Sequence, residues 1–381
     1  MHTTIAERKR GSLLGLAWGD VLGCPVEYWG KSLIAQVYGC YEGLPAAYPL
    51  DAIPKEDFIW GHLRPLGLHS DDTQQALTLL QACLHPDGFR IERWAEYLLL
   101  GQHERAWRGT GRNFRGALAN LSRGIPPLQS GMPTAGIGGA MRIAPLGAIY
   151  CADRARLEQV VFESTYMTHA DVRAVSLALA VATGCALRIS GVSDETIRGD
   201  LPTLVERFET SLGHNAAVRI AQPSHLHAVS NELRRALTQD WTGLDAFRDW
   251  LSRRAHQHLE DRQDIELIPN HPMVMVGGIH ALVVGLWPGS TPGGLLANVI
   301  QQGGDSDTVG AIVGALLGAK YGIDWIPSER MTDSTALHAY ADGMVRGVLP
   351  EGAIELIARE AKLTAVEHQF TKQLIAQRGS S

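Results

Sequence analysis

The sequence has few cysteines, no cluster of basic residues and no apolar run of membrane length. Its five cysteines are scattered and form no C-x-x-C pair, which favours a reducing cytosol over a disulfide framework. We therefore expect a cytoplasmic protein. A net charge of −6, with no lysine- and arginine-rich run, argues against nucleic acid as the main partner. A modified nucleic-acid end stays open as a substrate.

The longest apolar stretches are too short to cross a membrane. Residues 175–187 and 273–287 both fall below the roughly 20 residues that a transmembrane helix needs. We predict that both stretches form buried helices. Near the N-terminus, Asp20 interrupts the apolar run that a secretory signal would require. We therefore expect neither export nor a membrane partner.

Helical periodicity dominates the rest of the chain, and no set of alternating strand segments is visible. The sequence therefore predicts an all-α fold in one domain, residues 1–381. Residues 10–330 carry the motifs described below, and residues 331–381 form a predicted C-terminal helical extension. The Gly- and Pro-rich residues 38–68 predict a long surface loop beside a cleft, and the polar residues 193–264 predict peripheral helices.

Two segments near opposite ends of the chain carry glycine at every fourth position. These glycines are Gly11, Gly15, Gly19 and Gly23 in the first segment and Gly310, Gly314, Gly318 and Gly322 in the second. Residues four apart share one face of a helix, so each segment predicts a ridge along which another backbone can approach closely. Glycine costs about 1 kcal/mol per helical position relative to alanine, so such ridges indicate a packing role. We predict that the two helices pack antiparallel.

That packing would place the end of the first helix beside the start of the second. The acidic residues brought together would be Asp20, Glu27, Asp305 and Asp307. A second acidic cluster, Asp71 and Asp72, lies near the start of the segment LHSDDTQQALTLLQACL, where Ser70 is placed to cap a helix. Acids in a first turn can simply complement the helix dipole.

Two such clusters have a second interpretation, because crowded carboxylates repel one another in a partly buried site unless cations hold them. The oxygen donors of the two clusters are Ser70, Asp71, Asp72, Asp305, Asp307 and Thr308. Oxygen ligands without cysteine or histidine favour Mg²⁺ or Mn²⁺.

Two further segments are weaker indicators. The glycine-dense turn SGMPTAGIGGAM, with Gly136, Gly138 and Gly139 before Met141, can present backbone N–H groups to a phosphate, although most such runs are tight turns. His169 precedes a predicted helix that Thr168 or Asp171 could cap, where a lone histidine more often packs than binds a ligand.

Together these segments resemble the ADP-ribosylglycohydrolases, most closely the dinitrogenase reductase-activating type. The matching strings, in family order between Gly11 and Pro327, are GLAWGDVLGCPVEYWGKSLIAQVYG, LHSDDTQQALTLL, GGAMRIAPLGA, MTHADVRA and QGGDSDTVGAIVGALLGAKYGIDWIP. The first and last strings are the most specific.

The resemblance implies a compact, single-domain orthogonal helical bundle with two Mg²⁺ or Mn²⁺ ions at the base of a cleft. It also implies a hydrolase that removes ADP-ribose from an ADP-ribosylated protein or other acceptor, commonly at arginine, by cleaving the ribosyl C1 bond. The implied metal ligands are Ser70, Asp71, Asp72, Asp305, Asp307 and Thr308. The implied substrate-binding residues are Glu27, Gly136, Gly138, Gly139, Met141, His169, Gly303 and Gly304. The candidate catalytic carboxylates are Glu27, Asp71 and Asp305.

The chain departs from the family pattern at several positions. Ser70 stands where threonine is usual, which keeps the hydroxyl, and Ile137 replaces an asparagine in the glycine turn. Related proteins often carry an aspartate in a stretch where this chain has Arg108. The segment around Met273 stands where relatives have a tyrosine-containing segment that lines the nucleotide pocket. We therefore expect an intact metal centre and an altered substrate pocket.

Two rival functions follow from the same residues. A metal-dependent phosphohydrolase acting on a nucleotide also uses acidic ligands, but its His-Asp type needs a His-Asp dipeptide that this sequence lacks. A catalytically altered ADP-ribose-binding or structural protein could keep the fold. Metal content and the identity of the released product would separate these alternatives.

Overall fold

The structure is a computed structural model that describes residues 3–54, 63–258 and 267–379. Within these ranges the chain is helical and forms no β-strand, which confirms the all-α prediction. The α-helices are α1 (Ile5–Gly23), α2 (Lys31–Tyr38), α3 (Asp71–Cys83), α4 (Ile91–His103), α5 (Arg112–Ser122), α6 (Pro127–Ser130), α7 (Ala144–Ile149), α8 (Arg154–Tyr166), α9 (Val172–Ile189), α10 (Asp194–Gly213), α11 (Ala228–Leu237), α12 (Leu244–Ala255), α13 (Ile279–Gly285), α14 (Pro292–Ile300), α15 (Ser306–Tyr321), α16 (Ser334–Arg346) and α17 (Leu356–Gly379).

The centre of the fold is the pair formed by α1 and α15. Helix α1 starts at a capping box, in which Thr4 Oγ1 accepts a hydrogen bond from the Glu7 N–H at 3.2 Å and Glu7 Oε2 accepts one from the Thr4 N–H at 2.6 Å. Helix α15 ends at Tyr321 and is capped by Gly322, whose φ of 74° suits glycine. The two helices run antiparallel, as predicted, because Gly11 lies beside Gly318 and Gly19 lies beside Gly310.

Helix α9 packs against this pair and is nearly enclosed. Its 18 residues have the length and apolar composition of a membrane span, and 89% of them are buried inside the fold. This burial confirms the prediction of a core helix. Residues 274–286, from the second apolar stretch, are also buried, and they open with a π-helical turn, Val274–Gly278, before α13. A π-helical turn of this kind often lies next to a functional site.

The remaining segments surround the core. Helices α10 to α12 carry the polar residues 193–255 and lie at the periphery, as predicted, whereas residues 259–264 of that prediction lie outside the described ranges. The predicted loop at residues 38–68 is non-helical over 39–54 and 63–68, and its residues 55–62 also lie outside the described ranges. In the predicted C-terminal extension, α16 packs on α1 and α17 packs on α4.

Candidate functional site

The glycine ridges let α1 and α15 touch through their backbones. A Cβ atom built on Gly15 would collide with the carbonyl oxygen of Gly314, and one built on Gly314 would collide with that of Gly15. At the far end, Gly23 meets the backbone of Asp307, and Ser306 Oγ donates a hydrogen bond to the Gly23 carbonyl at 2.9 Å. The turn after α1 is thereby held directly against the acidic start of α15.

Asp20 lies among the acidic residues, but its oxygens are already occupied. They accept hydrogen bonds from the Ser70 N–H at 2.9 Å, the Thr73 N–H at 3.0 Å and Thr73 Oγ1 at 2.6 Å. Asp20 therefore fixes the first turn of α3 against α1. Asp20, Cys24 and Asp307 are close enough to surround an ion, but the Cys24 thiol donates to Asp20 at 3.1 Å and burial raises its pKa well above the usual value. This donor set does not suit a metal ion, because a metal-ligating thiol must lose its proton.

A cavity of about 710 Å³ lies where α3, α5, α15 and the glycine turn meet. It collects ten of the residues that the sequence singled out. These are Glu27, Asp71, Asp72, Asp305, Asp307, Thr308, Gly136, Gly138, Met141 and His169. Carboxylates from three separate parts of the chain thus share one pocket with the glycine turn and the histidine.

The remaining predicted site residues are not among those that line the cavity, and two of them support it. Ser70 Oγ donates a hydrogen bond to Asp72 Oδ2 at 3.0 Å and accepts one from the Asp72 N–H at 3.2 Å, so Ser70 caps α3 as predicted and holds this carboxylate. Gly139 packs against the side chain of Thr165, which leaves no room for a Cβ atom. Their roles as metal ligand and substrate contact stay predictions.

Gly303 and Gly304 form a tight turn beside the cavity. Both have a φ of 68°, and a Cβ atom on Gly303 would collide with the Trp29 carbonyl oxygen. The Gly304 N–H donates to that carbonyl at 2.8 Å, and the Tyr28 N–H donates to the Gly304 carbonyl at 2.7 Å. This backbone pairing holds Glu27, the residue before Tyr28, at the edge of the acidic cluster.

The acidic cluster is electrostatically unfavourable without a cation. Burial, together with the charges of Asp307 and Asp20, raises the pKa of Asp71 to about 7. Burial and the neighbouring carboxylates also raise the pKa values of Glu27, Asp72 and Asp305 well above their ordinary range. A divalent cation would offset both effects.

One atom supports this fit in particular. Asp72 Oδ1 is buried and has no hydrogen-bond partner among the described residues. A buried carboxylate oxygen without a partner is costly, so it is available to a ligand. The oxygen donors around it suit a hard divalent ion of the Mg²⁺ or Mn²⁺ type.

Arg142, which sequence reasoning did not single out, connects the two ends of the cavity. Its guanidinium is fully buried and donates to Gln75 Oε1, and Gln75 Nε2 in turn donates to Asp71 Oδ2. The same guanidinium donates to Thr168 Oγ1 at 2.6 Å, and this hydroxyl lies 2.9 Å from His169 Nδ1. Burial and then the Arg142 charge lower the pKa of His169 to about 3, so the imidazole is neutral near pH 7.

Asn270 was also missed and clamps the turn that precedes α15. Its Nδ2 donates to the Gly303 carbonyl at 2.7 Å, and its own carbonyl accepts a hydrogen bond from the Asp305 N–H at 2.9 Å. Its Oδ1 lies 2.9 Å from Nδ1 of the buried His280. The one available signal was a polar residue directly before an apolar buried segment.

The structure shows where the residues that depart from the family pattern lie relative to the cavity. Arg108 points away from the cavity, because its buried guanidinium forms an ion pair with Glu360 at 2.7 Å. Ile137 lines the cavity, where an asparagine would offer a polar group, and Met273 forms an isolated β-bridge with Gly136 in the wall. The cationic and imidazole side chains that line the cavity besides His169 are Arg112, Arg173, His258 and His271.

Comparison with known proteins gives a consistent result. A model of the ADP-ribosylglycohydrolase family matches residues 1–358. The chain is 24% identical over 328 residues to the ADP-ribosyl-(dinitrogen reductase) glycohydrolase of Rhodospirillum rubrum, which covers 85% of this chain and 89% of that protein. It is 32% identical over 207 residues to an uncharacterized protein of Archaeoglobus fulgidus, which covers 54% of this chain and 64% of the archaeal protein.

The fold also matches a solved structure of an ADP-ribosylglycohydrolase-related protein complex. The superposition has a TM-score of 0.61 and 22% sequence identity, and it covers 91% of this chain and 100% of the other. With the family match over most of its length, the chain belongs to the ADP-ribosylglycohydrolase family.

Proposed function

We propose that this protein is a metal-dependent hydrolase that releases ADP-ribose from a modified acceptor by cleaving the ribosyl C1 bond. The observation that carries the proposal is the cavity in which the clustered carboxylates face the glycine turn and His169. One end offers hard oxygen donors, and the other offers backbone and imidazole groups. This division suits a substrate with ribose hydroxyls at one end and phosphates at the other.

The residues proposed to hold two Mg²⁺ or Mn²⁺ ions are Asp71, Asp72, Asp305, Asp307 and Thr308, with the Ser70 hydroxyl beside them. Ions bound there would hold the ribose hydroxyls and increase the acidity of an attacking water. The chain itself keeps these donors in place through the Asp20 cap of α3, the Gln75 contact to Asp71 and the Asn270 clamp.

Hydrolysis at C1 passes through an oxocarbenium-like transition state, so a carboxylate must orient water on one face of the ribose and accept its proton. Glu27 and Asp305 are the candidates, because both line the cavity at the edge of the cluster. The same edge is strongly acidic, which complements a positively charged leaving group such as a guanidinium. We therefore propose an ADP-ribosylated arginine side chain as the preferred acceptor.

The opposite end of the cavity is proposed to hold the diphosphate. Gly136 and Gly138 line the cavity there without side chains, and a Cβ atom on Gly138 would lie 3.0 Å from His169 Nε2, so glycine lets the imidazole approach the turn closely. Arg112, an exposed cation, also lines the cavity. A diphosphate would therefore contact the glycine turn, the neutral imidazole of His169 and the positively charged guanidinium of Arg112.

The test is to incubate the purified protein and Mn²⁺ with peptides carrying ADP-ribose on arginine or serine, and with an ADP-ribosylated nucleobase. Mass spectrometry should detect free ADP-ribose and an unmodified acceptor, fastest from arginine. Chelation with EDTA should stop the release. Release of phosphate in place of ADP-ribose would favour the phosphohydrolase alternative. Binding of ADP-ribose without any release would favour a binding protein.

A further inference from the structure

The C-terminal helix α17 contributes two acidic residues to the back of the site. Glu360 and Glu367 are seven residues apart and therefore lie on the same face of the helix. Both lie beyond residue 358, where the match to the family model ends. Their side chains are 2% and 13% exposed, so this face of α17 is turned into the protein.

Glu360 attaches α17 to the segment that carries the first acidic cluster. Its carboxylate accepts hydrogen bonds from Gln74 Nε2 at 2.9 Å and Arg108 Nη2 at 2.7 Å, and it lies 3.2 Å from His69 Nε2. Burial opposes its ionisation, but the charges of His69 and Arg108 lower its pKa to about 2. Because Gln74 and His69 flank the first turn of α3, α17 has a fixed position relative to Asp71.

Glu367 contacts Arg64, which in turn contacts Glu27. The buried Arg64 guanidinium lies between two carboxylates, with Nε 3.1 Å from Glu367 Oε1 and Nη2 3.4 Å from Glu27 Oε2. Its Nη1 donates to Cys24 Sγ at 3.1 Å. Gly109 makes room for it, since a Cβ atom there would lie 2.9 Å from Arg64 Nη2 and 3.4 Å from Asp71 Oδ1. The guanidinium is therefore confined directly behind the acidic cavity.

We propose that Glu367 is a positioning residue of the metal centre. It holds the Arg64 guanidinium against Glu27, and its negative charge cancels the positive charge of Arg64, which would otherwise oppose the binding of a divalent cation. The inference rests on the proposed function. Arg64 and Glu367 together carry no net charge, whereas Arg64 alone would place one positive charge beside the carboxylate cluster. In a buried region this difference is weakly screened.

The proposal predicts opposite effects for the two partners. Glu367→Gln leaves the Arg64 charge unbalanced, so Mn²⁺ should bind at least about threefold more weakly, because an uncompensated positive charge in a buried region opposes a divalent ion. Arg64→Gln removes the positive charge and should make Mn²⁺ bind more tightly by a similar factor. Both variants should hydrolyse substrate more slowly, because Glu27 loses its fixed position.

The experiment is isothermal titration of the full-length, EDTA-treated protein with MnCl₂ alone, with circular dichroism to verify folding. Glu351→Gln, the same chemical change at an exposed carboxylate before α17, is the matched control and should leave Mn²⁺ affinity unchanged. Equal affinity in wild type and Glu367→Gln, with only a lower thermal midpoint, would reduce Glu367 to a packing role and overturn the proposal.

Arg64→Gln keeps the test decisive if Glu367→Gln does not fold. Tighter Mn²⁺ binding by that variant supports the charge balance, because loss of a merely structural contact would not strengthen binding. Unchanged or weaker binding overturns the proposal. If the wild-type protein binds no Mn²⁺, the proposed function itself fails, and that result is distinguishable from equal binding by wild type and variants.

Discussion

Gly15 and Gly314 lie back to back where α1 crosses α15, so close that neither residue can carry a side chain without displacing the other helix. This contact aligns the end of α1 with the start of α15 and so brings Glu27 next to Asp305 and Asp307. Close packing of two glycine ridges is thus the structural cause of the acidic cavity.

Gly314→Ala should therefore lower the free energy of unfolding by about 1–3 kcal/mol or more, because the added methyl group overpacks a backbone contact. Gly314→Leu should cost more. Gly199→Ala is the control, since Gly199 lies in α10 with nothing within 4 Å of its Cβ position. That change should be neutral or stabilise by up to about 1 kcal/mol. Equal denaturation midpoints for Gly314→Ala and wild type would disprove the close approach.

Asp71→Asn should abolish hydrolysis while the fold is retained, and Asp305→Asn should do the same. The metal-free variants should be at least as stable as wild type, because each removes one charge from a cluster of mutually repelling carboxylates. Mn²⁺ should raise the thermal midpoint of the wild type, and both variants should lose this rise. Turnover at the wild-type rate in either variant would remove these carboxylates from the site.

His169 should stay neutral across the physiological range, because burial lowers its pKa to about 3. An unfolded chain takes up this proton near pH 6.5, so the unfolded state binds more protons between about pH 6.5 and 3. The His169 contribution to stability should therefore fall as the pH falls through that window. His169→Gln should lose less stability than wild type between pH 7 and 5, and His103→Gln, at an exposed position, should behave like wild type. Nitrogen NMR of His169 showing protonation near pH 6.5 would contradict the burial argument.

Arg142→Lys should weaken both ends of the cavity at once. A lysine keeps the charge but cannot donate to Gln75 and Thr168 together, as the planar guanidinium does. We expect a loss of about 1.5–3 kcal/mol in stability, the usual value for hydrogen bonds to charged groups, and a lower kcat/KM. Arg123→Lys, at an exposed position in the same part of the chain, is the control. Activity equal to that of the control would show that Arg142 does not support the site.

Much of this arrangement was predictable because its signals are local or periodic. The glycine ridges predicted the antiparallel pair, and the sequence Ser70-Asp71-Asp72 predicted a capped helix start, both of which the structure confirms. The all-α fold followed from helical periodicity in the same way.

The supporting residues could not be predicted, because their partners are distant in sequence. Arg108 looked like a cation in the substrate pocket, but its partner Glu360 lies 252 positions away and turns it into the protein. Arg142 and Asn270 act through contacts that no spacing in the sequence indicates. Which polar side chains face the cavity depends on tertiary packing.

The most direct test of the account is anomalous diffraction from crystals soaked in MnCl₂. The account predicts two anomalous peaks inside the cavity, among the carboxylates of Asp71, Asp72, Asp305 and Asp307. Peaks confined to other surfaces, or a cavity without any peak at a saturating Mn²⁺ concentration, would contradict the claim that packed glycine ridges assemble a metal centre.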